Sequence, residues 1–179
     1  MLFTSGEGKQ RLDAIHAADA LRASNIRAEE LFKADDTAHA TQYHTVHALL
    51  AEDNVTDVML IDEAVKASGL PICLHVMKDG EEAFEFIQQA ETSDQAPCPG
   101  VAFLDLNLPK KNGLEILERI RNSPKCKGIP VIIVTASDSP ADRKESARRG
   151  ASRYFRKPMD LDEFLKLGKI IEEVLADVR

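Results

Sequence analysis

The sequence predicts an α/β fold of the doubly wound type, with a five-stranded parallel sheet covered by helices on both faces. From Tyr43 onward, apolar β-branched runs alternate with amphipathic stretches, which is the pattern of repeated β-α units. Three of the runs are apolar at every position, as central strands buried on both faces must be: residues 48–51, 101–104 and 131–134.

Five β-α units follow one another along the chain. The predicted strands are 46–51, 72–77, 101–104, 130–134 and 152–156, and the predicted helices are 57–68, 80–90, 113–122, 141–149 and 160–178. Gly69 and Pro71 stop the first helix, and Gly150 closes the fourth. The second and fifth strands are mixed in polarity and therefore belong at the edges. The strand order 2-1-3-4-5 satisfies this, and its crevice lies between the first and third strands.

Residues 1–44 form an N-terminal extension that differs in kind from the domain predicted over 45–179. They are rich in alanine and lack strand patterning, which predicts one or two helices. A helical arm, a disordered leader and a misplaced start all stay open for this extension.

Composition restricts the classes of partner. The formal net charge of −7 argues against direct binding of nucleic acid, whose nonspecific affinity comes from phosphate neutralisation by Lys and Arg. No apolar run approaches the roughly 20 residues that cross a bilayer, and the N-terminus lacks the pattern of an export signal, so we expect a cytoplasmic protein with no membrane partner.

The cysteines and histidines give no spacing typical of a metal site. Cys73, Cys98 and Cys126 are far apart, so we expect reduced structural thiols. His44 and His47 are three residues apart at the beginning of the first strand, opposite the acidic end, and we assign them no metal.

Acidic residues follow two of the central strands. Glu52 and Asp53 come directly after the first strand, and Asp105 comes directly after the third. Because parallel strands end along one edge of the sheet, these carboxylates would repel one another unless a cation lay among them. Oxygen ligands of this kind suit Mg²⁺.

Three further residues complete a candidate site for phosphoryl transfer. Thr135 and Lys157 follow the fourth and fifth strands, where they can supply a hydrogen-bond donor and a positive charge to an oxyanion. Asp105 is the candidate nucleophile, since a carboxylate can hold a phosphoryl group as an acyl phosphate. The turn that follows would let the Asn107 carbonyl face the cation.

The chain resembles the receiver family of response regulators over about residues 45–178. The stretches that carry the resemblance are Leu49-Leu50-Ala51-Glu52-Asp53-Asn54, Leu104-Asp105-Leu106-Asn107-Leu108-Pro109 with Gly113, Val134-Thr135-Ala136, and Gly150-Ala151 through Tyr154 to Lys157-Pro158. The runs from Asp53 to Asp57, 106–112 and 158–164 look similar to single-domain receivers paired with bacterial phytochrome kinases.

The resemblance implies a role for each site residue. Asp105 would accept a phosphoryl group from a histidine kinase or phosphotransfer protein. Asp53 and Asp105 would bind Mg²⁺ directly with the Asn107 carbonyl, and Glu52 would act through water. Lys157 would pair with phosphorylated Asp105, Thr135 would move to the phosphoryl oxygen, and Tyr154 would change rotamer with it. Lys157-Pro158 looks like the cis peptide of the family.

The signalling output would lie on the face formed by 141–149, 152–156 and 160–178. The sequence ends directly after the last predicted helix, so we expect a stand-alone receiver that acts by binding a partner or by forming a homodimer. The apolar residues of the last helix spread over more than one face, and we expect about half of them to serve a homodimer. They are Leu161, Phe164, Leu165, Ile171, Val174, Leu175 and Val178.

Two alternatives stay open at this stage. A haloacid-dehalogenase-like phosphohydrolase also uses an Asp nucleophile, Mg²⁺, Thr and Lys, but it needs a second acid where Asn107 stands here. A protein-interaction module that no longer takes phosphate would not need Asp53, Asp105, Thr135 and Lys157 together.

Overall fold

A five-stranded parallel sheet forms the centre of the domain, in a computed structural model that describes residues 45–93 and 98–177. The strands are β1 (Val46–Ala51), β2 (Ile72–Met77), β3 (Val101–Leu104), β4 (Val131–Thr135) and β5 (Arg153–Arg156). Their spatial order is β2-β1-β3-β4-β5, which confirms the predicted fold. The predictions for residues 1–44 lie outside the described residues.

Six helices connect and cover the strands within the described residues. They are α1 (Val55–Ala67), α2 (Gly80–Thr92), α3 (Gly113–Arg121), α4 (Pro140–Arg148), α5 (Leu161–Leu165) and α6 (Leu167–Ala176). Each of the first five begins behind a residue whose side chain accepts a backbone N–H of the first turn, namely Asn54, Asp79, Asn112, Ser139 and Asp160. Every one of these described helices falls short of the length and apolarity that a bilayer span requires.

The last predicted helix is divided into two, which corrects the prediction of one helix over 160–178. The interruption falls at Lys166, whose N–H bonds to the carbonyl of Glu163 at 3.3 Å, three residues back rather than four. Two residues later, Gly168 packs so closely on α1 that a Cβ there would lie 2.7 Å from the Ala64 carbonyl oxygen. The tighter turn at Lys166 therefore accompanies a close approach of α6 to α1. The hydrophobic periodicity of the sequence does not predict this interruption.

Two apolar layers lie on opposite faces of the sheet, because successive side chains of a strand alternate. Ala48, Leu50 and Phe103 point to the layer under α1, α5 and α6. Leu49 and Leu104 point to the layer under α2 and α3. All of these side chains are essentially inaccessible to solvent, and burying a Leu or Phe side chain contributes roughly 1.5–3 kcal/mol.

Helix α4 is attached more lightly than the others, since Ser146 is its one buried residue. An ion pair joins Arg149, at the end of the helix, to Glu118 of α3, while Arg148 and Arg149 also bind Glu145 along the helix itself. These contacts lower the pKa of Glu145 to about 2. Little apolar area would therefore be lost if α4 moved.

A disulfide joins Cys98 and Cys126, which corrects the expectation of three reduced thiols. Their Cα atoms are 5.4 Å apart, within the range that a disulfide spans. The segment that enters β3 and the turn that follows α3 bring the two together across 28 residues of sequence. Only Cys73 remains a free thiol.

Gly113 fixes the approach of α3 to the end of β3. A Cβ at this position would lie 2.1 Å from the Asp105 carbonyl oxygen, so the helix could not begin where it does with any other residue. The Gly113 N–H also donates to the Leu106 carbonyl at 3.2 Å. The backbone around Asp105 is therefore held by contacts that only glycine allows.

We expect Gly113→Ala to lower the free energy of unfolding by about 1–3 kcal/mol, because the added methyl group forces backbone apart. The matched control is Gly128→Ala, since a Cβ at Gly128 meets nothing within 4 Å. That control should stay within about 0.5 kcal/mol of the unmodified chain. Urea denaturation measures both, and equal midpoints for the two variants would contradict the assignment.

Candidate functional site

Three carboxylates meet at the ends of β1 and β3. Glu52 and Asp53 follow β1, and the Asp105 N–H continues the ladder by donating to the Ala51 carbonyl at 3.0 Å. One carboxylate oxygen from each acid lies within 4.8 Å of the others. Glu52 and Asp105 are buried, at 1% and 7% exposure, whereas Asp53 is open to solvent. The structure thus brings together all three acids that the sequence singled out.

Lys157 neutralises much of this charge. Its Nζ lies 2.7 Å from Glu52 Oε2, 2.9 Å from Asp57 Oδ2 and 3.0 Å from Asp105 Oδ2. The lysine backbone is held in register because its N–H donates to the Thr135 carbonyl at 2.8 Å. A side chain that starts at β5 therefore crosses the end of β4 to reach acids that follow β1 and β3.

Burial and charge compete in setting the protonation of this cluster. Burial raises the pKa of Glu52 above its usual value, against the opposing effect of Lys157. Burial alone would lower the pKa of Lys157, but its hydrogen bonds to Glu52 and Asp57 and the nearby Asp105 outweigh that effect and raise it. Lys157 is accordingly a permanent cation at neutral pH.

A second polar chain runs from Thr135 to the edge strand. The Ser137 N–H donates to Thr135 Oγ1 at 3.3 Å, and the Tyr154 hydroxyl donates to the Ser137 carbonyl at 3.0 Å. Thr135 is fully buried, while the half-buried Tyr154 ring lies against the Arg143 guanidinium, 4.8 Å from it. The Ser137 backbone thus connects the two residues to which the resemblance gave linked roles.

Sequence reasoning missed Asp57 and Ser137. Asp57 stands four residues after Asp53 in the first turn of α1, and Asn54 caps that turn by accepting from the Thr56 and Asp57 N–H groups. The spacing places the Asp57 carboxylate back at the strand ends, so an acid at this offset was an available signal. Ser137 carried no such signal beyond following Thr135 by two residues.

The loop after β3 is fixed at both ends. The Asn107 N–H donates to Asp105 Oδ1 at 3.2 Å, while the carbonyl of Asn107 as a metal ligand stays a prediction. Lys110, in the left-handed region at φ 65°, forms ion pairs with Asp79 and Glu81. These contacts join the loop to the beginning of α2, so Lys110 holds the loop in place.

The peptide bond between Lys157 and Pro158 is trans, which corrects the cis peptide that the resemblance implied. Trans is the more stable form of such a bond by about 0.5–1 kcal/mol. In this conformation Lys157 still contacts Glu52, Asp57 and Asp105. The ion pairs of the site therefore do not require a cis bond.

The donor set suits a hard divalent cation. Such ions take oxygen ligands and keep several waters, and here three carboxylate oxygens converge beside the exposed Asp53. The buried acids outnumber the single lysine that contacts them, which leaves negative charge for a cation to neutralise. Glu52, Asp53 and Asp105 are the residues that would hold it.

The chain is similar to proteins whose family is known. The profile of the response regulator receiver domain matches residues 48–168. The chain belongs to the response regulator receiver family. Among its relatives, response regulator Rcp1 of Synechocystis sp. is 36% identical over 124 residues, which cover 69% of this chain and 84% of Rcp1.

Solved receiver structures share the fold over most of the chain. The phosphorylated cyanobacterial phytochrome response regulator RcpA is 33% identical, with a TM-score of 0.67, and the match covers 76% of this chain and 97% of RcpA. The Mn²⁺-bound form of Rcp1 is 35% identical, with a TM-score of 0.64, over 72% of this chain and 92% of that one.

This receiver accordingly belongs to two-component signalling, and its family consists of signalling proteins rather than metabolic enzymes. Receivers bind a divalent metal and interact with kinases or phosphotransfer proteins. The phosphohydrolase alternative is thereby set aside.

We expect Lys157→Met to lower the free energy of unfolding by roughly 3 kcal/mol at neutral pH without divalent metal, since it leaves buried carboxylates uncompensated. Lys157 opposes the rise that burial gives the pKa of Glu52, so removing the lysine raises that pKa further in the folded state, and the deficit should shrink as the pH falls towards the usual carboxyl range. Added MgCl2 should also reduce the deficit.

Urea denaturation with and without MgCl2 measures this effect. The matched control is Lys66→Met, because Lys66 binds Asp62 and Glu63 at the surface with 58% of its side chain exposed. Exposed pairs of this kind contribute about 0–1 kcal/mol. A Lys157 deficit as small as that of the control, or one insensitive to both Mg²⁺ and pH, would contradict the assignment.

Proposed function

We propose that Asp105 is the phosphoacceptor of this receiver. A carboxylate oxygen of Asp105 attacks the phosphorus of a phosphohistidine on a histidine kinase or phosphotransfer protein. The new bond is an acyl phosphate, the P–N bond breaks, and its electron pair returns to the imidazole nitrogen. The observation that supports this is the position of the Asp105 carboxylate, 3.0 Å from the Lys157 ammonium and beside two further acids.

The site supplies what phosphoryl transfer needs, which is mainly positioning and neutralisation of charge. Mg²⁺ bound by Glu52, Asp53, Asp105 and the Asn107 carbonyl would neutralise charge on the phosphoryl oxygens. Lys157 already contacts Asp105, so it needs little movement to pair with a phosphoryl oxygen there. The Asn107 N–H keeps the other carboxylate oxygen oriented at 3.2 Å.

Thr135 and Tyr154 would transmit the modification. Phosphorylation adds roughly −1.5 to −2 of charge beside the end of β4, and the Thr135 hydroxyl is a donor that can turn towards it. That movement breaks the hydrogen bond from the Ser137 N–H to Thr135 Oγ1. Since Tyr154 donates to the same Ser137 backbone, its ring becomes free to change rotamer.

The output surface that we propose comprises α4, β5, α5 and α6. Helix α4 has a single buried residue, so a shift there sacrifices little packing. A coupling of about 1–3 kcal/mol between phosphorylation and the shifted state would change partner affinity by one or two powers of ten.

Four exposed apolar side chains in or next to the first turns of α1 and α5 suit docking of the phosphodonor. Val55, Met59, Met159 and Leu161 are exposed by 60%, 57%, 105% and 52%. They lie at the beginnings of α1 and α5, which follow the strand-end residues Asp53 and Lys157. A donor histidine must reach Asp105 from this edge, and an apolar contact beside the acids would hold it without adding repulsion.

The kinase that we propose is of the bacterial phytochrome type. RcpA and Rcp1 are similar to this protein over most of the chain, and RcpA is a cyanobacterial phytochrome response regulator. A cytoplasmic location fits such a partner.

Homodimer formation is a second proposal for the output. Most of the apolar residues singled out in the last helix belong to the core, since Phe164, Ile171, Val174 and Leu175 are buried. Leu161 is exposed, and Val178 lies outside the described residues. The surface left for a partner copy is therefore smaller than the sequence pattern indicated.

The mass of the chain in dilute solution tests the homodimer. If phosphorylation drives dimerisation, sedimentation equilibrium should give two chains per particle after phosphodonor treatment, and Leu161→Glu should reduce that fraction. A mass of one chain both before and after treatment would rule the homodimer out and leave binding of another protein as the output.

Phosphodonor treatment tests the proposed function itself. With MgCl2 and acetyl phosphate, intact-mass spectrometry should show one added phosphoryl group, and Asp105→Asn should abolish it because an amide is not nucleophilic. The matched control is Asp138→Asn, since the Asp138 side chain is 75% exposed and contacts only Arg156 among the ion pairs of the described residues.

The control should be phosphorylated like the unmodified chain. No adduct on the unmodified chain would favour an interaction module that does not take phosphate. Continuous release of inorganic phosphate without an adduct would indicate a hydrolase. An adduct that survives Asp105→Asn would place the acceptor elsewhere.

A further inference from the structure

Three side chains that can ligate a metal lie on one face of the sheet, near the beginnings of β1 and β2. Cys73 and His75 are two residues apart on β2, so they point to the same face. The parallel register places His47 of β1 opposite Cys73, and Leu49 opposite His75. This end of the two strands is opposite to the end that carries Glu52 and Asp105.

The three ligand atoms are close enough for one ion. One ligating atom of each residue lies within 4.8 Å of the others, and His47 Nδ1 and His75 Nε2 are 2.9 Å apart. Zn–N bonds of about 2.0–2.1 Å and Zn–S bonds of about 2.3 Å put tetrahedral ligands roughly 3.3–3.8 Å apart. Small side-chain rotations would therefore bring the cluster to that geometry.

The surroundings orient one ligand and leave another accessible. The half-buried His75 ring packs against Phe86, with ring centroids 5.3 Å apart, which limits its rotation. Burial and the neighbouring His47 ring lower the pKa of His75, which favours the neutral ring. His47 is exposed and open to solvent, so an ion can enter from that side.

The disulfide leaves Cys73 as the one thiol of the chain that is available to a metal. Two imidazoles and a thiolate form a borderline-soft donor set, which prefers Zn²⁺ to Mg²⁺. The acidic crevice has oxygen donors alone and has the opposite preference. The two ends of the sheet would thus select different ions.

We propose that His47, Cys73 and His75 bind a Zn²⁺ ion, with water in the fourth position. Binding releases the Cys73 thiol proton, and the proton that lies between the two imidazole nitrogens moves to the other nitrogen of its own ring, so both rings ligate in their neutral form. The ion would join the edge strand β2 to β1 by side-chain bonds in addition to the backbone ladder. Its effect would be on the scaffold of the receiver, and it is independent of the role of Asp105.

Cobalt substitution tests the site on the full chain. In excess MgCl2, which occupies the acidic crevice, Co²⁺ titration should give one ion per chain and a thiolate-to-cobalt charge-transfer band that Zn²⁺ displaces. Cys73→Ser should abolish the band. His47→Gln and His75→Gln should each weaken binding by about tenfold or more, since one of three protein ligands is lost.

The double variant Cys98→Ser, Cys126→Ser is the matched control and should keep the band. Zn²⁺ should also raise the thermal midpoint of the unmodified chain by about 5 °C or more at saturation, and should not do so in Cys73→Ser. Far-ultraviolet circular dichroism checks that every variant is folded.

Three outcomes would overturn the proposal. The first is the absence of a charge-transfer band in the folded, unmodified chain. The second is a band that persists in Cys73→Ser, or Co²⁺ binding that is as tight in both histidine variants as in the unmodified chain. The third is Zn²⁺ binding that Asp53→Asn removes and Cys73→Ser leaves intact, since the ion would then occupy the acidic crevice alone.

Discussion

Compensation of buried negative charge is the constraint on which the site depends. Glu52 and Asp105 lose most of their hydration when the sheet forms, and a buried carboxylate is tolerated only beside a cation or several donors. Lys157 meets that requirement from a strand two positions away from β3. In the observed order β4 lies between β3 and β5, and the Lys157 side chain spans the end of β4 to form these ion pairs.

The rigidity of the scaffold is distributed unevenly, and that distribution suits a switch. Around Asp105 the backbone is held by Gly113, by the Asn107 N–H and by the ion pairs of Lys110 with the beginning of α2. Helix α4, in contrast, is held by surface ion pairs and one buried serine. The charge of a phosphoryl group at Asp105 would therefore act between a rigidly held backbone and the lightly packed helix α4.

The strand ends and the strand order could be predicted from the sequence, because they follow from short apolar runs and from the rules of parallel sheets. Each strand end with a polar residue could be located, and the strand order followed from which runs were apolar on both faces. Glu52, Asp53 and Asp105 could therefore be predicted to share one edge of the sheet, where the structure brings their carboxylates together. The beginnings of α1 to α5 lie within two residues of the predicted positions, whereas the separate beginning of α6 at Leu167 was not predicted.

The features that escaped prediction depend on contacts between distant segments. The break at Lys166 accompanies the approach of Gly168 to α1, and the pairing of Cys98 with Cys126 depends on how two turns meet. The hydrophobic periodicity of a single segment predicts neither the helix break nor the cysteine pairing. The trans bond before Pro158 differs from the family resemblance, which shows that a motif does not fix the isomer.

The cluster of His47, Cys73 and His75 could not be predicted from the sequence either, because its members are distant along the chain. Read along the chain, His47 stands 26 residues before Cys73, and its nearest histidine neighbour is His44. Only the register that pairs His47 with Cys73 makes the three ligands neighbours. The same strand β1 also leads into Glu52, so its pairing with β2 aligns soft donors near its beginning, while its pairing with β3 brings hard donors together beyond its end. A one-residue slip of β1 would turn His47 and Leu49 to the opposite face, so an ion held by His47, Cys73 and His75 would stabilise the register of β1 against β2.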